Sequence, residues 1–369
     1  MMKINLKALS AKELTEFIAT LGQSPYRARQ LNNWIYKKHA TSFDEMTDMS
    51  KSFRELLEKT AFISNMKLIR KQISKDGTQK FLLALEDGET IESVLIPDKN
   101  RLTLCISSQV GCAAGCKFCM TGSLGLKRNM KAHEIVDQII TVQRLIDQRQ
   151  IIPPRPPVLK GGRGDYAITN IVFMGMGEPL LNFTEVIEAL WRIINFIGFS
   201  KKRITLSTVG IIPKIFELAD KGPQISLAVS LNATTDTVRN KIMPINRKYP
   251  IKKLIKTCRE FPLAPGRKIT FEYVLIDGVN DSKNDALRLV KLLKGIKSKV
   301  NLIQYNPCSK KAEFRNPSED TISVFQKILL NSGMTVIIRK SRGDDISAAC
   351  GQLGYKNDTQ RRETLCLHC

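Results

Sequence analysis

The pattern of hydrophobic and polar positions changes twice along the chain, and each change predicts a different kind of structure. Up to about residue 62, apolar residues recur at helical spacing, for example from Leu14 to Leu21, so they share one face of a helix. Ser10 with Glu13 three residues later forms a capping-box pattern at the start of this helix. The predicted helices of this first part are 6–21, one that begins at Pro25, and 50–61.

Between Met66 and Gln109 the apolar positions tend towards the alternation that is typical of strands. Asp-Gly pairs at 76–77 and 87–88 are turn signals between successive strands. The predicted strands are 67–73, 80–85, 89–96 and 102–107. Glu92 lies inside the third strand, and glutamate suits a strand interior poorly. A solvated strand face and a functional carboxylate are both open interpretations of Glu92 at this point.

From residue 102 onward, short and nearly continuous apolar runs alternate with amphipathic helices. Such runs are expected of a parallel sheet that is covered by helices. The predicted strand–helix pairs are 102–107 with 133–148, 170–174 with 184–196, 203–208 with 213–221, 225–231 with 251–260, 269–276 with 283–294 and 300–305 with 319–331, and a last strand follows at 335–339. Six β/α units fit a partial α/β barrel, in which chemistry takes place on loops beyond the strand carboxyl ends.

The predicted fold class is therefore α/β, and four parts of the chain are distinguished. They are a helical accessory domain at 1–65, a short β extension at 66–101, the barrel core at 102–353 and a carboxyl-terminal tail at 354–369. A chain of 369 residues with 43% hydrophobic residues is long enough for a large domain and an accessory domain. The Pro- and Gly-rich stretch near 150–165 is predicted to be a loop.

The charge of the chain suggests a class of partner. Lysine and arginine number 58 against 35 acidic residues, a net charge of +23, so a polyanion such as nucleic acid is the first candidate. A general solubility trait is the alternative. The predicted helices of the accessory domain carry Arg27, Arg29, Lys37, Lys38, Lys51 and Arg54. These cations could hold RNA, although a domain that serves only packing would expose cations as well.

The sequence also bears on cellular location. It contains no run of the ~20 apolar residues that a membrane span needs, and its first residues lack the apolar core of a signal peptide. Nine cysteines, an odd number with a tight cluster, favour a reducing compartment and metal or catalytic use. A cytoplasmic protein without membrane attachment is expected, and a monomer is the expected state.

Three cysteines lie within one short loop, at Cys112, Cys116 and Cys119, with the spacing C-x3-C-x2-C. Thiolates suit soft metals, so zinc or an iron–sulfur cluster is the usual outcome. A closed zinc site normally takes four ligands, whereas three thiolates on a four-iron cluster leave one iron open to bind another molecule. Three buried structural cysteines are the alternative, which such crowding disfavours.

Glycine and small polar residues follow the carboxyl ends of several predicted strands, where a bound ligand would meet them. After the second barrel strand come Gly177, Glu178 and Pro179, whose free carbonyls and carboxylate could receive an ammonium group. The ends of later strands carry Ser207, Ser230, Leu231, Asn232 and Asn306. Each of these alone is more often part of a turn or a cap, but together they indicate one cofactor pocket.

Two cysteines outside the triplet are predicted at the same end of the barrel. Cys350 lies among small residues after the last predicted strand, with Arg339 and two further cations upstream. Positive neighbours are expected to lower the pKa of Cys350 and to favour its thiolate. Cys105 precedes the triplet by seven residues. A lone cysteine is more often inert, but these two could form a working pair.

The triplet with its aromatic neighbour Phe118 resembles the signature of the radical S-adenosylmethionine (SAM) superfamily. Gly-Glu-Pro at 177–179 is similar to the superfamily motif that binds the amino group of SAM. The chain as a whole closely resembles the RlmN family, radical SAM enzymes that methylate C2 of adenosine in 23S ribosomal RNA and transfer RNA. The segments that carry this resemblance are 104–112, 175–182, 243–246 and 342–353, and it extends over nearly the whole chain.

The resemblance implies a partial (β/α)6 radical SAM barrel with a [4Fe–4S] cluster on Cys112, Cys116 and Cys119. The small residues at the strand ends match positions that contact SAM in the family. Two molecules of SAM would be used per turnover. A flavodoxin or ferredoxin would supply electrons, and the RNA targets would be the peptidyl transferase centre of 23S rRNA and the adenosine 3′ to the anticodon of tRNA.

The resemblance also implies roles for three further residues. Cys350 would take a methyl group from one SAM by nucleophilic attack, and a radical formed from the second SAM would activate this methyl group for addition to adenine C2. Glu92 would remove the C2 proton. Cys105 would then attack the Cys350 sulfur, which releases the RNA and leaves a disulfide.

Three features depart from the family pattern. Asn232 stands where many members carry histidine, which leaves the details of SAM binding open. The loop near 150–165 is longer than usual. The tail ends with Cys366, His368 and Cys369, which form either a weak metal site or simply a frayed end.

Two other functions remain alternatives. A Cfr-type enzyme would methylate C8 of adenosine, but the segment 178–182 favours RlmN, because Cfr-type enzymes carry alanine at the position of Pro179. A non-catalytic RNA-binding protein with zinc or a cluster is the alternative from another class. It would need only the triplet and the positive charge, and not Glu92, Cys105 and Cys350 together.

Overall fold

The computed structural model describes residues 3–151, 167–307 and 313–354, and the chain begins with a helical part. The elements of this part are β1 (Ile4–Asn5), α1 (Ala11–Thr20), α2 (Tyr26–Tyr36), α3 (Lys51–Thr60) and β2 (Ala61–Phe62). The predicted capping box is present, since Ser10 Oγ accepts from Glu13 N and the Glu13 carboxylate accepts from Ser10 N. All three predicted helices exist, but the first is shorter than 6–21 because β1 pairs with β2 before it.

The strands predicted after the helical part form an antiparallel sheet. Their bounds are β3 (Lys67–Ile73), β4 (Gln79–Ala84), β5 (Thr90–Asp98) and β6 (Arg101–Ile106). The Asp-Gly turns lie where the sequence predicts them, because Gly77 and Gly88 each have a φ of 85°, a conformation that glycine adopts without strain. These strands are confirmed with small shifts at their ends.

A hairpin that periodicity does not predict frames the cysteine loop. Strand β7 (Gln109–Gly111) pairs antiparallel with β8 (Leu126–Asn129), and the short helix α4 (Met120–Ser123) lies between them. A Cβ at Gly111 would lie 1.9 Å from the carbonyl oxygen of Gly125, so only glycine permits the two strands to approach here. Strands of three or four residues are too short to show a hydrophobic period.

The remaining described chain alternates helices and strands as predicted. The elements are α5 (Ala132–Asp147), β9 (Asn170–Phe173), α6 (Phe183–Arg192), β10 (Ile204–Thr208), α7 (Ile212–Lys221), β11 (Ser226–Ser230), α8 (Asp236–Ile242), α9 (Ile251–Glu260), β12 (Ile269–Leu275), α10 (Lys283–Leu293), β13 (Ser298–Gln304), α11 (Glu319–Asn331) and β14 (Val336–Arg339). Only α8 was not predicted, because its 7 residues are too few to show a helical period. In the ranges that the structure describes, no helix has both the length and the hydropathy of a membrane span.

One ten-stranded sheet joins both parts, in the order β14-β13-β12-β11-β10-β9-β6-β5-β4-β3. Strands β6 and β9 to β14 run parallel, while β5, β4 and β3 continue antiparallel from β6. The parallel strands and their helices form the predicted partial α/β barrel. Parallel strands end at one edge of the sheet, so the loops that follow them meet at that edge.

The helical part packs directly on the barrel and shares its hydrophobic core. Lys7 and Asp137 form an ion pair between side chains that are 1% and 4% exposed. Arg192 Nη1 donates to the carbonyl oxygen of Lys7 at 2.6 Å, and the rings of Tyr36 and Phe196 lie 5.1 Å apart. Because breaking a buried ion pair is costly, these contacts fix the helical part against α5 and α6.

Two predictions concern residues outside the described ranges. Most of the loop near 150–165 belongs to this group, as do Cys366, His368 and Cys369 in the tail. The loop and the possible metal site of the tail therefore stay predictions.

Candidate active site

The loops after the parallel strands enclose a cavity that gathers most of the predicted site residues. Its empty volume, open solvent at the mouth included, is about 960 Å³. The predicted residues that line it are Cys112, Cys116, Cys119, Gly177, Glu178, Ser207, Ser230, Asn232, Asn306 and Cys350. Pro179, Leu231, Glu92 and Cys105 are not part of this lining.

The loop that carries the cysteine triplet is held by backbone hydrogen bonds on two sides. Cys112 N donates to Gly125 O at 2.8 Å, and Lys117 N donates to Ile242 O at 2.9 Å. Cys119 is the N-cap residue of α4. The loop is thereby tied to the β7–β8 hairpin on one side and to α8 on the other.

The chemistry of the three thiols fits an iron–sulfur cluster. Burial raises the pKa of Cys112 to about 12 and also raises the pKa values of Cys116 and Cys119, but a metal deprotonates a coordinating thiol outright. Within the described ranges, no three His, Cys, Asp or Glu side chains converge as a single metal ion would require. A four-iron cluster does not need such convergence, because each thiolate binds a different iron. The triplet would hold such a cluster and leave one iron for SAM.

Gly177 and Pro179 affect the shape of the cavity wall and contribute no polar side chain to it. Gly177 has a φ of +100°, and a Cβ there would meet the Gln109 side chain at 2.6 Å. Glycine is therefore required for packing against β7, in addition to any approach to a ligand. Pro179 is buried at the first position of a short 3-10 helix, Pro179–Asn182, and is not part of the cavity lining.

Glu178 is 2% exposed, and protein groups already orient its carboxylate. Its Oε1 accepts from Leu180 N at 3.0 Å and from Thr208 Oγ1 at 2.7 Å, and its Oε2 accepts from Val209 N at 2.7 Å. Burial raises the pKa of Glu178 to about 7 even though these donors lower it. The carboxylate keeps acceptor capacity on Oε2, and its contact with the SAM amino group stays a prediction.

A buried glutamate that sequence reasoning missed lines the same cavity. Glu272 on β12 accepts a hydrogen bond from Ser207 Oγ at 3.1 Å through Oε2. Its Oε1 has no hydrogen-bond partner among the described residues, and Arg339 Nη1 lies 3.8 Å away. Such an unsatisfied buried oxygen is suited to a hydroxyl or amino group of a ligand, so the wall fits the polar groups of SAM. A charged residue inside the apolar run 269–276 was the available sequence signal.

A buried arginine, also missed, ties together the ends of two strands. Arg239 is 0% exposed and donates to the carbonyl oxygens of Leu231 at 2.9 Å, Ser230 at 3.0 Å and Val209 at 2.7 Å. It also donates to Asn246 Oδ1 at 3.0 Å, which gives the Met-Pro-Ile-Asn segment a structural role. The Leu231 side chain packs in the hydrophobic core, and the predicted contact of Leu231 with the cofactor stays a prediction.

Asn232 lines the cavity with a left-handed backbone, at a φ of +54°, which asparagine tolerates better than most residues. Its Oδ1 accepts from Val274 N at 2.9 Å, and its Nδ2 lies 3.3 Å from Met243 Sδ. The side chain therefore joins the end of β11 to β12. A histidine at this position would have to make different contacts.

Cys350 is exposed and lines the cavity. Asn306 Nδ2 donates to Cys350 O at 3.1 Å, and Ser341 Oγ donates to Asn306 Oδ1 at 2.5 Å, so Asn306 positions the segment that carries Cys350. The expected lowering of the Cys350 pKa is wrong. Surrounding protein displaces water and raises the pKa of Cys350, and the charge of Arg339 offsets this only in part.

Cys105 lies on β6 and is 7% exposed. Burial raises the pKa of Cys105, and the charge of Cys350 raises it further. Both are free thiols in this structure. Cys105 is not part of the cavity lining, and its pairing with Cys350 stays a prediction.

Glu92 on β5 is 3% exposed, so the interpretation as a solvated strand face is wrong. Its Oε1 lies 3.1 Å from Lys80 Nζ, and its Oε2 accepts from Gly354 N at 2.6 Å. Its backbone N–H lies 3.4 Å from Met176 Sδ, next to the Gly-Glu-Pro segment. Glu92 is thus a buried, paired carboxylate beside the Cys350 segment, and its role as a base stays a prediction. Sequence reasoning missed Lys80.

Replacing Cys116 by alanine is expected to prevent stable cluster binding. Two remaining thiolates cannot replace the third ligand, and iron retained after anaerobic reconstitution and desalting should fall below about a tenth of the wild-type content. Iron and sulfide analysis with visible absorbance measures this. Cys258→Ala is the matched control, because Cys258 is a buried thiol on α9 outside the cavity lining. Equal iron in the Cys116 variant and the wild type would contradict the assignment.

Two family models match the chain. A model described as the ribosomal RNA large subunit methyltransferase N-terminal domain matches residues 4–63. A model described as the radical SAM superfamily matches residues 159–290. The first match covers the helical part and the second covers most of the parallel strands.

Similar proteins match over nearly the full length. A dual-specificity RNA methyltransferase RlmN from Geobacter sulfurreducens is 51% identical over 360 residues, which cover 96% of this chain and 93% of the relative. One from Pelobacter propionicus is 48% identical and covers 98% and 99%. The crystal structure of a radical SAM methyltransferase from Sphaerobacter thermophilus is 42% identical, covers 95% of this chain and 99% of that chain, and superimposes with a TM-score of 0.86. The chain therefore belongs to the RlmN family of radical SAM RNA methyltransferases.

Proposed function

We propose that this enzyme methylates C2 of adenosine in 23S ribosomal RNA, at the peptidyl transferase centre, and in transfer RNA, at the adenosine 3′ to the anticodon. Its radical SAM family implies a [4Fe–4S] cluster and SAM. The observation that supports the proposal most is that one cavity holds Cys350 together with the three cluster cysteines. A non-catalytic RNA-binding protein would not need this arrangement, and the relatives are methyltransferases.

The residues of the chain have separate tasks in this proposal. When bound, the cluster and SAM supply the methyl group and the hydrogen-abstracting radical that an electron-poor ring carbon requires. Cys112, Cys116 and Cys119 hold the cluster, and the polar cavity wall orients SAM. Cys350 Sγ attacks the methyl group as a thiolate and carries it as a thioether, with Arg339 as the cation that favours the thiolate.

Two side chains complete the reaction after the methyl carbon has joined adenine C2. Glu92 accepts the proton that leaves C2, and the one electron that the radical adduct must lose would return to the bound cluster. Cys105 then attacks the Cys350 sulfur, so that an S–S bond forms and the bond between this sulfur and the methyl carbon breaks. The electron pair of the broken bond stays on carbon, which takes up a proton and becomes the methyl group. A cellular thiol reductant returns the disulfide to two thiols.

The same proposal covers domains, partners and location. The accessory domain at 1–65 binds RNA through exposed cations, which include Arg29, Lys37, Lys38 and Lys51, the extension at 66–101 leads into the barrel core at 102–353, and 354–369 is the tail. The net charge of +23 supports contact with a polyanion. A flavodoxin or ferredoxin supplies electrons. The enzyme acts as a monomer in the cytoplasm, whose reducing conditions suit its free thiols.

The test is anaerobic reconstitution with iron and sulfide, followed by incubation with SAM, a reductant and unmodified ribosomal or transfer RNA. We expect 2-methyladenosine and 5′-deoxyadenosine, both measured by mass spectrometry. Formation of 8-methyladenosine would instead favour the Cfr type. A well-formed cluster and bound RNA without methylated adenosine or 5′-deoxyadenosine would contradict the proposal.

A further inference from the structure

A buried ion pair lies beside the cavity, on the antiparallel part of the sheet. Lys80 on β4 and Glu92 on β5 are 3.1 Å apart through Nζ and Oε1, and their side chains are 9% and 4% exposed. In the strand register Lys80 lies opposite Val94, and Leu82 lies opposite Glu92, so the two charged residues are diagonal neighbours on one face. The surrounding positions Leu82 and Val94 are 4% and 1% exposed, which leaves little water to screen the pair.

Both members of this pair also hold the segment that carries Cys350. Lys80 Nζ donates to the carbonyl oxygen of Ser347 at 3.1 Å, three residues before Cys350. Glu92 Oε2 accepts from the backbone N–H of Gly354 at 2.6 Å, four residues after it. The ion pair therefore forms hydrogen bonds with the segment on both sides of the reactive sulfur.

The other contacts between this segment and the strands lie nearer to solvent. Asp345 is exposed, and its carboxylate accepts from Ser74 Oγ at 2.6 Å and from Lys75 N at 3.2 Å. Gly343 N donates to Asp76 Oδ2 at 3.2 Å. Hydrogen bonds that compete with water hold a segment less firmly than charge-assisted bonds in a dry setting. The Lys80–Glu92 pair thus adds charge-assisted hydrogen bonds to the neutral ones that residues 347–354 receive from Met120 N and Thr121 Oγ1.

We propose that Lys80 is a positioning residue, which acts with Glu92 as a clamp on the Cys350 segment and keeps the buried Glu92 carboxylate oriented. The mechanistic part of this inference rests on the proposed function, in which Cys350 carries the methyl group and Glu92 is the base. Glu92 then has a second task, because the carboxylate that later accepts the proton first holds the methyl-carrying segment in place.

The cost of removing one charge of the pair depends on whether the other charge is present. Removing Lys80 leaves a buried carboxylate without a counter-charge, which is far more costly than removing both charges together. A clamp therefore predicts that the effects of the two substitutions are not additive. A lysine that only contributes to packing predicts additive effects.

The experiment uses the full chain with reconstituted cluster and compares Lys80→Met with the wild type. Amide hydrogen exchange of 347–354 is expected to accelerate on the order of 10-fold or more, and methylation of Cys350 by SAM, followed by mass spectrometry of the protein, should slow. Lys80→Arg keeps the positive charge. It should therefore restore part of the protection of 347–354 from exchange and part of the Cys350 methylation rate. Lys67→Met is the matched control, since Lys67 is an exposed lysine on β3, and should match the wild type.

A second variant keeps the test decisive if Lys80→Met folds poorly. In the double variant with Glu92→Gln no buried charge is left unpaired, so residues 347–354 should exchange more slowly than in Lys80→Met alone. Exchange within twofold of the wild type in Lys80→Met, or equal exchange in the single and double variants, would overturn the clamp. If the proposed function fails instead, wild-type Cys350 never carries a methyl group, while the exchange comparison still decides about the clamp.

Discussion

The Cys350→Ala enzyme is expected to form no methylated adenosine, a loss of at least about 10³-fold in turnover. Alanine removes the sulfur that accepts the methyl group, and the structure offers no substitute, because Cys105 is buried away from the cavity lining. The cluster should still assemble, since its three cysteines remain. The measurement is 2-methyladenosine per enzyme by mass spectrometry, together with iron content to show that the variant is loaded.

Cys258→Ala is again the control, because it removes a buried thiol from α9 without touching the cavity lining. It should methylate RNA at close to the wild-type rate. Methylation by the Cys350 variant at even a tenth of that rate would mean that the methyl group reaches RNA without a cysteine carrier.

The Cys105→Ala enzyme is expected to stop after one turnover with RNA covalently attached through Cys350. The sulfur of Cys350 can still load the methyl group and form the bond to adenine, but the thiol that would release the product is gone. Multiple-turnover methylation should fall at least about 10³-fold, while a protein–RNA complex resistant to denaturation accumulates. Denaturing electrophoresis with labelled RNA, followed by mass spectrometry of the nuclease-treated protein, measures both.

The double variant Cys105→Ala with Cys350→Ala gives the sharpest control for the trapped complex. It should form none, because the attachment point is missing. A covalent complex in the double variant would place the attachment on another residue, and normal turnover in Cys105→Ala would remove Cys105 from the reaction.

Sequence alone predicts the architecture well where its signals are local. Periodicity predicts the alternating helices and strands, and the Asp-Gly pairs predict the turns at Gly77 and Gly88, because each depends on a few neighbouring residues. The β7–β8 hairpin and helix α8 are not predicted by these local signals. They are short, and the close approach at Gly111 depends on Gly125, fourteen positions later in the chain.

The site also contains residues that local motifs predict and residues that they do not. The cysteine triplet and the small residues at strand ends are visible as motifs, and most of them line the cavity. Lys80, Arg239 and Glu272 are single charged residues without a motif, and their importance comes from burial that only the folded chain reveals. The pKa of Cys350 shows the same limit, because nearby cations are visible in sequence and desolvation is not.

The contact between Glu92 and Gly354 can form only late in the synthesis of a new molecule of this enzyme. The two residues are 262 positions apart, so a ribosome that adds about 5–20 residues per second makes Gly354 roughly 13 to 52 s after Glu92. During that interval the strands β3 to β6 can fold. Lys80 and Glu92 have both been made by then, so they can already pair with each other. The methyl-carrying sulfur can be held by this pair only after Gly354 has been made, so a nascent chain that has not reached this residue lacks the contact.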